Sequence, residues 1–177
     1  TDAFSRIAML FGRAARNLES NLGRGQITAN GAMGDTVALF HATHGNLAGS
    51  GTVISIASIG TGRTSMRNQR ALDGVEYLNI APRYLVVPAA LETIADQFVS
   101  TVQAVQASNV NPFAGRLSVI AEPRLDADSA TAWYLAASPD QIDMVEYGSL
   151  AGENGPAVET RVGFDVDGLE VKCRHDF

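Results

Sequence analysis

Apolar residues recur every three or four positions at Phe4, Ile7, Phe11, Ala14, Leu18 and Leu22. That spacing places them on one stripe of a helix, with Arg6, Arg13, Arg16 and Glu19 mostly facing elsewhere. It predicts a helix over 2–23, about 30 Å long, started by Asp2 and ended by Gly23 with Gly25. Periodicity is then lost. Residues 31–51 are rich in Gly, Ala, Asn and Ser around a brief apolar "TVALF", which predicts a long irregular connection with one short strand. Connections of that length are uncommon unless they serve a purpose. A second helix is expected from Thr52 or Ser55 to about Gln69, capped by hydroxyls, although Gly60 and Gly62 weaken it.

Further on, "RYLVVP" is a buried-strand pattern ended by Pro88. "AALETIADQFVSTVQAV" predicts a helix with Leu91, Ile94, Phe98, Val102 and Val105 on one face, and "ASNVNPFAG" a loop. "RLSVIAEP" and "ATAWYLAAS" read as two strands joined by the polar turn "RLDADS", and "IDMVEYGSL" as another strand. The last stretch, "AVETRVGFDVDGLEVKCRHDF", predicts a hairpin turning at Asp167-Gly168, residues that tolerate positive φ. Helices dominate early and strands late, with no internal repeat. The fold class is α+β.

At 177 residues the chain fits one domain, or one domain with two lobes, and can bury a core without disulfides or a metal. Its 46% hydrophobic and 18% charged content are those of an ordinary globular protein. The net charge of −6 argues against a DNA duplex or a membrane surface as main partner, because neutralising phosphates takes clustered Lys and Arg. Cys173 is alone, which excludes an intrachain disulfide and a thiolate metal cage. The first residues show no signal-peptide pattern, and no apolar run approaches the roughly 20 residues of a membrane span. The sequence opens on Thr1 and closes on a strand pattern with no turn after it, so we expect a processed product or a piece of a longer chain.

Candidate chemistry centres on "LFHATHGN", which holds His41 and His44. A zincin helix needs histidines four apart with a Glu between them, so that both imidazoles share a face and the Glu activates water. Here they are three apart, Ala42 and Thr43 intervene, and Gly45-Asn46 breaks any helix. His175, the third histidine, sits on a strand near the far end. Loop histidines bonded to backbone groups are the expected reading. "DADS" at 126–129 and "DVDG" at 165–168 open like calcium loops but lack the later ligands, so turns are expected at both. No P-loop and no nucleophile elbow occurs, and Cys173 alternates with Val171 as a buried inert thiol would. Trp133 and Tyr134 are expected on opposite strand faces, one of them in the core. Arg63, Arg67 and Arg70 are spaced for one helix face, which is either solvated or set against an acidic partner subunit. We expect no catalytic, cofactor-binding or metal-ligating residue. The alternative is a hydrolase or metalloenzyme fragment built on His41 and His44.

Four phrases in order resemble one family: "AMGDTVALFHATHGNLAGSG", "ALDGVEYLNIAPRYLVVPAALE", "NPFAGRLSVIAEPRLDADSATAWYLAASP" and "GPAVETRVGFDVDGLEVKCRHDF". Together they are similar to the major head (capsid) subunit of Mu-like phages and prophages. The resemblance implies the tailed-phage capsid fold of the Hong Kong 97 type. Such a fold has a peripheral lobe, with a long spine helix and β-strands, and an axial lobe, with a central sheet flanked by helices. On this sequence it implies a peripheral lobe over 1–74 with the spine at 2–23, an axial lobe over 75–145, and return strands of the peripheral lobe over 146–177. "LFHATHGN" becomes a connecting loop after the spine, and residues 31–51 a segment ordered by neighbouring copies.

The resemblance further implies a virion structural protein, assembled in the bacterial cytoplasm into hexamers and pentamers of an icosahedral head. The implied partners are copies of itself, a scaffold or protease during assembly, and packaged DNA touched weakly and non-specifically. No membrane and no cofactor is implied. Subunits of this type carry an arm and an extended β-hairpin loop before the spine, which the present sequence does not include. Some relatives are encoded behind a prohead protease, and nothing here resembles its active site. A nanocompartment shell protein, which shares the fold, is a further reading. A shell subunit needs rigid edges, each stable contact burying on the order of 1,200–2,000 Å².

Overall fold

The computed structural model describes residues 3–100, 110–148, 151–152, 155–163 and 168–176, with side chains from residue 6 onward. Helix α1 spans Ala3–Ala29, six residues beyond the expected end at Gly23. Neither Gly23 nor Gly25 takes a positive φ, so neither stops the helix. The residue that does is Asn30, at φ 47°, since asparagine tolerates the left-handed conformation that terminates helices. The proposed Asp2 cap and the Phe4 side chain lie outside the described residues.

The chain divides into two units, one of Thr1–Gln26 with Val145–Phe177 and one of Ile27–Met144. The first unit contains most of α1 and a hairpin of β4 (Ala157–Val162) and β5 (Leu169–Arg174). The hairpin matches the expected one. It is antiparallel, with Val158 opposite Cys173 and Arg161 opposite Glu170, and Gly163 N–H donates to the Gly168 carbonyl at 2.8 Å. Asp167 of its turn lies outside the described residues. On α1 the buried position is Ala15, whereas Leu18 and Leu22 of the expected apolar stripe stay about half exposed at 50% and 48%. A helix about 40 Å long presents more apolar surface than a two-stranded hairpin can cover. No strand forms over 142–148, where every residue is exposed.

The second unit is built on β1 (Pro82–Val87), which is flanked by β2 (Ser118–Ala121) and β3 (Tyr134–Ala137) in the order β2-β1-β3. β2 runs parallel to β1 and β3 antiparallel. The stretches expected as two strands joined by a turn therefore do not pair with each other. β1 lies between them, and "RLDADS" is mostly a 3-10 turn, Pro123–Ala127. The parallel connection from β1 to β2 passes through α3 (Glu92–Val99), as parallel neighbours require a crossover.

α3 is shorter than its periodicity implied. Ser100 turns extended at ψ 143°, and Val102 and Val105 lie outside the described residues. The face it buries is also rotated: Ala95 is fully buried with Leu91, Phe98 and Val99 packed beside it, while Ile94 points outward. The end of α3 is sealed from downstream. The Asn111 side-chain amide donates to the Phe98 carbonyl, and Gly115 N–H donates to that of Val99 at 3.0 Å.

Helix α2 (Ile56–Arg67) starts where the hydroxyls predicted, in a reciprocal capping box between Ser55 and Ser58. Its Ile59 joins Leu85, Val87, Ala95 and Leu117 in the core, on the sheet face shared with α3. The two α2 glycines differ. A Cβ on Gly62 would stand 2.7 Å from Leu135 Cδ1, whereas one on Gly60 would meet only Phe113 Cζ at 3.9 Å. Helix propensity alone favours alanine over glycine by about 1 kcal/mol. Gly60→Ala is therefore expected to raise stability by roughly 0.5–1 kcal/mol in urea unfolding, and Gly62→Ala to fall short of that gain because Leu135 must shift.

Candidate functional site

The stretch singled out by its histidines follows directly on α1. Asn30, the residue that ends the helix, also clamps what comes after: its Oδ1 accepts from Phe40 N–H at 2.6 Å and its Nδ2 donates to the Phe40 carbonyl at 3.1 Å. Between these points residues 31–39 double back, with an isolated bridge of Ala32 to Ala38 in place of the expected strand. Thr36 takes a positive φ, and Asp35 Oδ1 accepts from Val37 N–H at 3.0 Å to hold the bend.

His41 opens a 3-10 turn, Ala42–His44, and its Nδ1 accepts from Thr43 N–H at 3.2 Å, the work of an N-cap. His44 closes the turn. Its Nδ1 meets the Leu39 carbonyl at 3.1 Å and its Nε2 meets Asp35 Oδ2 at 2.8 Å. Both ring nitrogens thus face acceptors, an arrangement only the imidazolium satisfies in full. The His44 pKa is accordingly raised, first by the Asp35 hydrogen bond and then by the Leu39 carbonyl, and that of Asp35 is lowered, first by His44 and then by Val37 N–H. Asn46 Nδ2 donates to the same Leu39 carbonyl at 2.7 Å, and Gln69 Nε2 ties the His44 carbonyl to the end of α2 at 2.9 Å.

The two imidazoles are 6.4 Å apart, edge to face, and each is engaged in holding its own loop. His175, in the other unit, meets Glu19 of α1 at 2.7 Å. Among the described residues no group of three His, Cys, Asp or Glu side chains could hold a metal ion. Asp126 of "DADS" receives Ala89 N–H at 2.9 Å and Ala90 N–H at 3.2 Å, so it caps the segment leading into α3. Asp165 and Asp167 of "DVDG" lie outside the described residues. Cys173 is half-buried on β5. Trp133 precedes β3, packs against the core and donates from Nε1 to the Thr52 carbonyl at 2.7 Å. Tyr134 lies 5.4 Å from the Phe40 ring, and burial raises its pKa.

Of the three arginines spaced for one helix face, Arg63 and Arg67 remain on α2 and Arg70 does not. Arg63 lies 5.8 Å from the Phe113 ring centroid, and Arg67 donates to Asn79 Oδ1. Arg70 falls past the helix end and builds a second small hairpin over 69–78. Leu78 N–H donates to the Gln69 carbonyl and Ala71 N–H to that of Glu76, both at 2.9 Å. The pattern reading passed over this hairpin. Its signal was Asp73-Gly74 between apolar residues, with Gly74 at φ 69°.

Several large apolar side chains stand in the open. Met9, Leu10, Leu72, Val75, Tyr147 and Val162 are each more than half exposed. No described helix is long and apolar enough to cross a membrane. A family model described as phage capsid protein matches residues 1–177. Neither a curated protein nor a solved structure matches the chain.

The His44–Asp35 clasp has a definite pH window. Asp35, with its pKa lowered, contributes stability above the ordinary carboxylate range and loses it as pH falls through its folded value. His44, with its pKa raised, contributes fully below about 6.5 and loses it as pH rises through its folded value. The clasp is therefore complete between about pH 4 and 6.5. NMR titration of the His44 ring is expected to give a pKa above the ordinary histidine value, falling when Asp35→Asn removes the carboxylate.

Proposed function

This chain belongs to the phage capsid protein family, and from that premise we propose that it is the major head subunit of a Mu-like phage or prophage. In this reading it builds hexamers and pentamers of an icosahedral shell around DNA, on a Hong Kong 97-type fold. Membership makes it a virion structural protein of a family of shell-forming subunits. The single observation that carries the finer reading is the distribution of its apolar surface. Large apolar side chains stand exposed along α1, on the 69–78 hairpin and on the terminal hairpin, while the histidines of the 39–46 loop are engaged in holding that loop.

Scattered apolar residues are ordinary on any protein, but repeated along a helix and at hairpin tips they suit a subunit completed by its neighbours. In the lobe assignment we favour, α1 is the spine and β4 with β5 are return strands of the peripheral lobe over 1–74 and 146–177. The three-stranded sheet with α3 supports an axial lobe over 75–145, against which α2 of the 1–74 segment packs through Ile59. That α1 and the terminal hairpin fall in one unit supports pairing them in one lobe. A scaffold or protease would act during assembly in the host cytoplasm, and contact with packaged DNA would be weak, as the charge of −6 favours.

Sedimentation velocity of the chain joined to an N-terminal arm and extended loop of the family type is expected to show rings or shells. A strict monomer at high concentration, across a range of salt, would overturn the reading. The His41→Ala/His44→Ala double variant is expected to assemble as the parent does wherever it folds, which separates a loop-holding role from catalysis.

A further inference from the structure

Two features of the second unit are complementary to each other, and among the described residues no ion pair joins them within one copy. The first is the hairpin over 69–78. Arg70 stiffens it from inside: Nη1 donates to the carbonyls of Gly74 at 3.2 Å and Val75 at 3.1 Å, and Nη2 donates to the Tyr77 hydroxyl at 2.6 Å. The guanidinium also lies 4.1 Å from the Tyr77 ring centroid. Asp73 Oδ1 accepts from the N–H groups of Val75 and Glu76, which fixes the turn and lowers the Asp73 pKa. The tip held out by these bonds carries Leu72, fully exposed, and Val75, exposed at 72%. Beside them stand the carboxylates of Asp73 and Glu76, neither of which has an ion-pair partner among the described residues. A tip ordered in advance loses little entropy on docking.

The second feature is basic. Arg63 and Arg67 stand one turn apart on α2; Arg63 lies 5.8 Å from the Phe113 ring centroid, and Arg116, just before β2, donates from its N–H to the Phe113 carbonyl at 3.0 Å. Burial first, and then the charges of Arg67 and Arg116, lower the Arg63 pKa. None of the three pairs with a carboxylate among the described residues, in a chain whose net charge is −6. Phe113 lies under Arg63 as an apolar floor. Three like charges held together without a counter-charge repel one another, and a carboxylate brought from outside relieves that cost.

We propose that the 69–78 hairpin of one copy docks on the Arg63–Arg67–Arg116 cluster of the next, with Asp73 and Glu76 meeting guanidinium groups and Leu72 and Val75 covering Phe113. The proposal rests on reading the chain as a self-assembling subunit, and names the elements that meet. The contact is head-to-tail, so it propagates around a ring rather than closing a pair. A nucleic-acid phosphate would satisfy the arginines as well. It would leave the apolar tip unexplained, and three arginines in an acidic chain make a small footprint.

The test is self-association of the full chain by sedimentation velocity at low salt. Tip variants are Leu72→Asp and Glu76→Arg; receptor variants are Arg63→Glu and Arg116→Glu. Asp73 and Arg67 are left intact because they hold the turn and Asn79. Each variant, checked for an unchanged thermal melt, is expected to weaken association by about tenfold or more. Mixing Glu76→Arg with Arg116→Glu is expected to restore association, with the two variants present in equal proportion. Variants that associate like the parent would overturn the docking while leaving the capsid reading intact, and so would weakened variants that mixing does not rescue. A parent that stays monomeric even with its arm and loop would overturn both. Binding of a fluorescent oligonucleotide that is lost in Arg63→Glu and Arg116→Glu, with self-association unchanged, would reassign the arginines to nucleic acid.

Discussion

The second unit depends on the burial of one strand. β1 is paired on both edges, and its Leu85 and Val87 have no exposed surface. Fully burying two such side chains contributes roughly 3–6 kcal/mol, a large share of the stability a small domain has in total. The strand ends are held as firmly as its centre. Glu122 N–H donates to the Val87 carbonyl at 2.9 Å, Asp126 receives the two N–H groups just beyond Pro88, and Gln141 Oε1 accepts from Ala81 N–H at 3.0 Å. Loops distant in sequence thus converge on β1 because its flanking peptide groups need partners. α2 and α3 lie on the face that Leu85 and Val87 present, and the strand leaves no freedom to put them elsewhere.

Around that frame the irregular segments are organised by polar side chains rather than by apolar burial. Residues 31–51 contribute nothing to the fully buried core, yet Asn30, Asp35, His44, Asn46 and Gln69 hold them through a chain of hydrogen bonds. Of the histidines that invite a catalytic interpretation, His44 has both ring nitrogens taken up in that chain, and His41 uses its Nδ1 to cap the turn. For a structural protein of a phage capsid this division is sensible. A strand-centred core makes a rigid frame, and loops held on such a frame are where binding surfaces generally sit.

Much of the fold was legible in the residues. The α+β class, β1, the Ser55 start of α2 and the terminal hairpin follow from period, capping chemistry and turn residues. The misreadings have physical causes. Gly23 and Gly25 look like a helix stop, but a stop needs a left-handed backbone, and Asn30 supplies it. Ile94 fits the apolar stripe of α3, but Ala95 is small enough to let the helix approach the sheet, so the buried face rotates. The strand order was hidden because "RLSVIAEP" and "ATAWYLAAS" are neighbours in sequence, and only the demand of β1 for two partners separates them. "IDMVEYGSL" has strand composition, but its described residues are all exposed and gain no burial from pairing. At the histidine loop the sequence excluded a zincin arrangement, but it did not reveal that Asp35, nine residues before His44, would be its partner. The Asp73-Gly74 hairpin was visible and was masked by the longer strand pattern after it.

The terminal hairpin carries alternate faces of different kinds. Val158, Val162, Leu169, Val171 and Cys173 share one face, while Glu159 with Lys172 and Arg161 with Glu170 pair across the other at 2.9 and 2.6 Å. Exposed pairs of this sort add little to stability, about 0–1 kcal/mol. Their effect is on alignment. Sliding one strand by two residues in one direction sets Glu159 against Glu170; in the other it sets Arg161 against Lys172 but also Glu159 against Arg174, so the charges oppose the first slip more than the second. A two-stranded ribbon has little else to prevent slippage. The ladder acts as a vernier, and concentrated salt would blur its marks before it melted the strands.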